Sequence, residues 1–298
     1  MDAWLEEFIA YLRYERAYSE LTIISYSGSL KEFELYCKSS IEEMSWQTVT
    51  SDVVRSWIVY LLDSGLAPAG VCPQLSAVKS FYRFLLRRGL VNVDPAYGVV
   101  APKKSKPLPY FVGENEMRSL LGDLEFPNTY EGRLAKVLVC MLYATGMRAA
   151  ELIALDISDV DLNDSVVSVV GKRNKQRYIP MLPELVNMLE SYLVERSSLL
   201  IGKSEIQAMF LMPRSGKRLT YPKLRELIRS TLAGVTLQSK RSPHVLRHSF
   251  ATSLLNNSAD LQSVKELLGH ESLKTTAIYT HTTFEELKKM YNQAHPRG

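Results

Sequence analysis

Ala101-Pro102-Lys103-Lys104-Ser105-Lys106-Pro107-Leu108-Pro109 packs three prolines and three lysines into nine residues. Proline fixes φ and withholds a backbone donor, and clustered lysines repel one another. The stretch therefore reads as an extended basic linker over 101–109. At 298 residues the chain exceeds what one core usually fills. Two domains are expected, over 1–100 and 110–298.

Upstream of the linker the pattern is helical. Trp4, Phe8, Ile9 and Leu12 recur at helical spacing, and Ile24, Leu30, Phe33 and Tyr36 do so within Leu21–Cys37. Val53–Leu62 and Leu75–Leu86 supply two further helices. Ser51 with Asp52 reads as an N-cap, and Gly65 and Gly89 as stops. Lys79, Arg83 and Arg87 stand at successive i, i+4 positions and form a cationic stripe on the fourth helix. Alone, such a stripe reads as a solvated face. Joined to Lys103, Lys104 and Lys106 of the linker, it is equally a surface for a phosphate backbone.

Downstream the pattern mixes helix and strand. Glu114–Leu121 and Gly132–Thr145 read as helices. Val166–Val170 and Arg177–Ile179 cluster β-branched residues on either side of Gly171-Lys172-Arg173-Asn174-Lys175-Gln176, a hairpin with a basic tip. Helices resume over Pro183–Arg196, Tyr221–Leu232, Pro243–Asn256, Leu261–Leu268, Lys274–Tyr279 and Phe284–Asn292.

The composition, 46% hydrophobic and 23% charged, is that of a soluble globular protein. The longest apolar run, Val137–Ala144, is far too short to span a bilayer. The acidic start Met1-Asp2-Ala3-Trp4-Leu5-Glu6-Glu7 lacks the features of a secretory signal, so a cytoplasmic, nucleoid-associated protein is expected. Cys37, Cys72 and Cys140, set among apolar residues, read as reduced core thiols. Nine Lys and Arg face twelve Asp and Glu in residues 1–100, leaving twenty-seven against twenty in the rest, so positive charge gathers in the second part.

That second part carries the groups suited to phosphate chemistry. In Pro243-His244-Val245-Leu246-Arg247-His248 the two histidines and the arginine share one helix face. A metal site is disfavoured, because no carboxylate or cysteine joins them at ligand spacing and the arginine repels a cation. His248 is open between a core role and a catalytic one. Arg148, in Thr145-Gly146-Met147-Arg148-Ala149-Ala150-Glu151-Leu152, follows a helix stop. Its planar donors and those of Arg247 match the two non-bridging oxygens of one phosphodiester, and an ion pair with Glu151 is compatible with that clamp. Tyrosine titrates near 10, so Tyr279 becomes a nucleophile only where cations stabilise the developing charge. Lys172 is a candidate general acid; Arg173 and Lys175 compete for the role, and spacing does not rank them.

Taken together, Thr145–Leu152, Gly171-Lys172 in a hairpin, His244–His248, Leu267-Leu268-Gly269-His270 and Tyr279-Thr280-His281 resemble the tyrosine recombinase (phage-integrase-like) family, in its Xer-type members. The resemblance covers nearly the whole chain. It implies a mainly α fold with a small β-sheet. A four-helix, SAM-like core-binding domain and a C-terminal α+β catalytic domain with a regulatory tail at about 283–298 would form a C-shaped DNA clamp. It also implies a catalytic set of Arg148, Lys172, His244, Arg247, His270 and Tyr279. Tyr279 would form a 3′-phosphotyrosine link, and Arg148, Arg247 and His270 would hold the phosphate. Lys172 would protonate the leaving 5′ oxygen, and His244 would assist the tyrosine proton. No cofactor and no metal are implied. Lys79, Arg83, Arg87, Lys103, Lys104, Lys106, Arg173 and Lys175 are the candidate DNA-binding residues. The implied partners are a double-stranded recombination site, a homo- or heterotetramer with a related recombinase on two sites, and a septal DNA translocase. Resolution of chromosome or plasmid dimers is the expected function. Integration of a mobile element, a type IB topoisomerase and a DNA-binding module with a decayed site are the alternatives.

Overall fold

The computed structural model describes residues 2–103, 110–122, 126–171, 175–200, 206–236, 240–257 and 261–269. Lys104, Lys106, Lys172, Arg173, His270, Tyr279, the helices expected over Lys274–Tyr279 and Phe284–Asn292, and the tail at 283–298 lie outside the described residues. The chain divides into two compact units, Met1–Pro107 and Leu108–Gly298.

The first unit is helical. α1 (Ala3–Ala10) starts where Asp2 Oδ1 accepts the Trp4 N–H at 2.8 Å. It runs into a π-turn, Tyr11–Glu15, ended by the Arg16 N–H on Tyr11 O at 3.0 Å. α2 (Glu20–Ser40), α3 (Ser51–Asp63) and α4 (Pro68–Arg87) follow. Their inward stripes meet in an aromatic core containing Phe8, Phe33, Trp57 and Phe81, all fully buried. Phe33 and Trp57 pack with ring centroids 4.7 Å apart, and Phe8 meets Phe81 edge-on at 5.3 Å. Each such pair adds about 0.5–1.5 kcal/mol beyond the area it buries.

Two local features differ from the expectation. The cap of α3 is Thr50, whose hydroxyl accepts the Val53 N–H at 3.4 Å; Ser51 instead donates to Pro95 O at 2.8 Å, tying α3 to the segment after α4. α4 begins at Pro68, seven residues before the apolar repeat suggests. Pro68 lies in the first turn, where a missing N–H costs nothing, and the Pro73 ring is exposed, so burial of Val71, Cys72 and Leu75 outweighs one lost ladder bond. On this helix Arg83 and Arg87 are exposed, while the half-buried Lys79 donates its ammonium to Val99 O at 2.6 Å.

The second unit contains α5 (Glu114–Gly122), α6 (Tyr130–Thr145), α7 (Ala149–Ala154), β1 (Val160–Asp161), β2 (Val166–Val170), β3 (Gln176–Pro180), α8 (Pro183–Ser198), α9 (Tyr221–Ala233), α10 (Pro243–Asn256) and α11 (Leu261–Leu268). α6 is apolar nearly all round, so it is buried, with α8, α9 and α10 packed against it. The strands form one antiparallel sheet in the order β1-β2-β3, with Val167 opposite Ile179 and Val169 opposite Arg177. The Gly171 N–H donates to Lys175 O at 2.7 Å, closing the base of the hairpin loop. β1 escapes sequence reading because two residues carry no alternation. Leu182, Phe250, Leu254, Val264, Leu267 and Leu268 form a separate small core that fixes α11 on α10. Among the described residues no helix is long and apolar enough to cross a membrane. Cys37, Cys72 and Cys140 are buried thiols, and burial pushes the Cys37 thiol up to about 12.

Candidate active site

The site is built where helices end. α6 stops at Gly146, which adopts φ +60 and donates its N–H to Leu142 O at 3.1 Å. A β-carbon there would lie 2.2 Å from Phe250 Cδ1 and 3.0 Å from Leu268 Cδ2, so Gly146 is required both by its left-handed conformation and by the close approach of α10 and α11. Gly146→Ala is expected to lower stability by about 2–5 kcal/mol, combining left-handed strain with overpacking. A urea midpoint within 0.5 kcal/mol-equivalents (roughly the scale of a neutral surface change) of the parent would contradict this.

The turn after Gly146 delivers Arg148, which caps the N-terminus of α7. Its backbone N–H donates to Glu151 Oε2 at 2.7 Å, and its Nη1 to Glu151 Oε1 at 2.8 Å. The same carboxylate receives a bidentate fork from Arg177 on β3, Nη1 to Oε1 at 3.0 Å and Nη2 to Oε2 at 2.8 Å. Glu151 thus accepts four hydrogen bonds, its full complement, and is buried with Arg177. Burial alone would raise its pKa, but the hydrogen bonds from Arg177 and from the Arg148 backbone, with the arginine charges, hold it down at about 2.

Arg247, in the second turn of α10, donates Nη1 to Gly146 O at 2.5 Å and Nη2 to Leu268 O at 2.6 Å. Arg148 Nη2 reaches Gly269 O at 3.1 Å, and Arg177 Nε reaches Leu267 O at 3.0 Å. Three consecutive carbonyls at the end of α11 therefore each take a different guanidinium. Helix C-termini carry partial negative charge, which suits cations. Desolvation, and then the nearby Arg148 charge, lower the Arg247 pKa to about 10. Among the described residues three arginines converge here, and one carboxylate, Glu151, pairs with two of them, Arg148 and Arg177. The excess positive charge is what an anion with two free oxygens would neutralise.

Arg148 and Arg247 are thus brought together. His244 is exposed in the first turn of the same helix as Arg247. His248 is exposed as well, which removes the core role left open for it. Lys175 is exposed at the hairpin, and Gly171 and Gly269, the residues before Lys172 and His270 in sequence, both border this cluster. Arg83, Arg87, Lys79 and Lys103 belong to the first unit. Among the described residues no group of three or more His, Cys, Asp or Glu is placed to hold a metal ion. Sequence reading missed Arg177. The signal was there: strand alternation puts it on the face of Ile179, opposite the exposed Tyr178, and a cation on a buried face needs a carboxylate.

The profile of the Phage integrase family matches residues 111–286, more than half of the chain. The chain belongs to the phage integrase family. Residues 5–89 match the N-terminal SAM-like domain of phage integrases. The tyrosine recombinase XerC of Pelotomaculum thermopropionicum is 38% identical over 99% of this chain and 98% of its own. The tyrosine recombinase XerD of Oceanobacillus iheyensis is 35% identical over the same shares. A XerH site-specific recombinase bound to a palindromic difH substrate, in a post-cleavage complex, superposes with a TM-score of 0.69 at 24% identity, covering 96% of this chain and 82% of that one, and so shares the fold. The protein is therefore a site-specific tyrosine recombinase of the Xer type, an enzyme that cuts and rejoins DNA, with a helical SAM-like domain and an α+β catalytic domain.

Proposed function

We propose that the recombinase cleaves one strand of its DNA site by attack of the Tyr279 hydroxyl on the phosphorus. The attack forms a 3′-phosphotyrosine bond and breaks the bond to the 5′ oxygen. The tyrosine proton passes toward His244, and Lys172 protonates the departing 5′ oxygen. Arg148, Arg247 and His270 hold the non-bridging oxygens. Religation is the same step reversed, with a 5′-hydroxyl of either strand as attacker, so the phosphodiester bond energy is conserved and strands can be exchanged. The observation that carries this reading is the convergence of Arg148 and Arg247 on the adjacent carbonyls of Gly269 and Leu268, a cradle with two cationic forks.

Similar identity to relatives named XerC and XerD supports action beside a second, related recombinase, in a tetramer spanning two sites. It supports resolution of chromosome or plasmid dimers in the cytoplasm, with a septal DNA translocase as activator. Lys79, Arg83 and Arg87 of the fourth helix, Lys103, Lys104 and Lys106 of the basic linker, and Arg173 and Lys175 of the hairpin supply the phosphate-backbone contacts.

The test is a suicide duplex, nicked near the cleavage point so that a short strand escapes and religation fails. The wild-type protein should accumulate a covalent adduct. Lys172→Ala should lose it on ordinary DNA and regain it when sulfur replaces the bridging 5′ oxygen, since a thiolate leaves without a proton. Arg247→Ala should not be rescued. Failure of sulfur to rescue Lys172→Ala would move the acid role to another residue.

A further inference from the structure

We infer that Arg177 is a positioning residue for strand cleavage, acting as the common anchor of Arg148, of the hairpin root at Gly171 and of the end of α11 at Leu267 and Gly269. The inference rests on the reading of the site given above. Four observations converge on this one side chain. Its fork holds Glu151, which in turn holds both the backbone N–H and the guanidinium of Arg148. Its Nε holds Leu267 O at the end of α11. Gly269, in the left-handed conformation at φ +63, lies so close that a β-carbon there would meet Arg177 Nη1 at 3.2 Å and Cζ at 3.4 Å. Gly171, at the root of the hairpin loop, has Arg177 Nη1 as a neighbour too, 3.6 Å from the place of its missing β-carbon.

Gly171 immediately precedes Lys172, and Gly269 immediately precedes His270. One buried guanidinium therefore sits against the main chain one residue before two catalytic candidates, and one carboxylate away from a third. Arg177 is 8% exposed, so it is placed to organise the cradle rather than to touch DNA. Lysine offers one point charge where arginine offers a planar fork and a separate Nε donor. It would keep the charge opposite Glu151 but lose either the fork or the Leu267 anchor. A shift of the cradle by about 1 Å is enough to cost roughly 100-fold in rate.

The experiment compares wild type, Arg177→Lys, the neutral pair Arg177→Met with Glu151→Gln, and Arg148→Ala in the full-length protein. Each receives the suicide duplex with either a normal scissile phosphate or a methylphosphonate there. The methylphosphonate carries no negative charge, so it reduces the demand for aligned guanidiniums. DNA affinity, thermal midpoint and rate of adduct formation are recorded. Arg177→Lys is expected to keep its DNA affinity and to form adduct about 100-fold more slowly on phosphate, with most of that deficit disappearing on methylphosphonate. The neutral pair should recover the thermal midpoint, removing charge imbalance as the cause, and should stay slow on phosphate. A wild-type rate for Arg177→Lys or for the neutral pair overturns the assignment. So does an equal loss on both substrates, which is what a merely structural defect gives. If Arg148→Ala itself keeps the wild-type rate on phosphate, the underlying reading of the cradle falls, and this inference with it. Loss in Arg148→Ala with a normal Arg177→Lys removes Arg177 alone.

Discussion

Tyr279→Phe is expected to abolish the covalent protein–DNA adduct while leaving binding of the intact site unchanged. The substitution removes one oxygen and no carbon, so in the proposed reading only the nucleophile is lost. Removal of a nucleophile from an assembled site typically costs on the order of 10⁴-fold or more in rate. In the proposed reading the cradle of Arg148 and Arg247 remains to bind phosphate, which is why affinity should persist while chemistry stops. The measurement is a denaturing gel of protein with radiolabelled suicide duplex, alongside a mobility-shift titration. An adduct from Tyr279→Phe would transfer the role to another of the sixteen tyrosines. Loss of DNA binding together with the adduct would mean that the hydroxyl serves the fold instead.

Glu151→Ala should have the largest effect on stability, about 3–5 kcal/mol, because it leaves the buried Arg177 charge without its partner. It also frees Arg148 from both of its carboxylate contacts, so adduct formation should fall even where enough folded protein remains. Urea denaturation at neutral pH gives the first quantity, and a loss below about 1 kcal/mol, the scale of an exposed pair, would contradict the buried role. The pH dependence has a definite sign. The ordinary carboxyl value is 4.5 and the folded value is about 2, so the contribution of Glu151 is complete above 4.5 and is lost as pH falls toward 2. Wild type should therefore lose stability over that acid window, and Glu151→Gln should lose less of it.

Much of the fold was legible because its signals are local. The bounds expected for the helices of His244 and of Leu261–Leu268 coincide with α10 and α11, since proline opens the first and glycine closes the second. The hairpin was legible from β-branched clusters around a polar tip. Thr50 was overlooked as a cap because Ser51 and Asp52, adjacent and equally suited, gave the stronger local signal. The start of α4 was hidden by Pro68 and Pro73, since proline breaks helices in general; Pro68 is spared by lying in the first turn, and Pro73 is carried inside the helix at the cost of one ladder bond.

The arginines of the site were legible from motif and spacing. Their arrangement was not, because it depends on residues far apart in sequence. Arg177 meets Glu151 across 26 positions and Leu267 across 90, and Arg247 meets Gly146 across 101. Glu151 was read as a simple i, i+3 partner of Arg148, and its second and larger obligation to Arg177 could be seen only once β3 was laid beside α7.

The end of α11 has an implication for sequence drift. The oxygens that hold the three arginines at Leu267, Leu268 and Gly269 belong to the main chain, and every amino acid brings the same one. Exchanging the leucine side chains can loosen the small core beneath them but cannot delete an acceptor. The cationic partners can be erased by a single codon change, whereas the surface that receives them can be lost only by moving the backbone. At Leu267 and Leu268 this half of the site can therefore diverge in side-chain identity while its hydrogen-bonding pattern stays constant, whereas Gly269 is held by its left-handed φ and the closeness of Arg177.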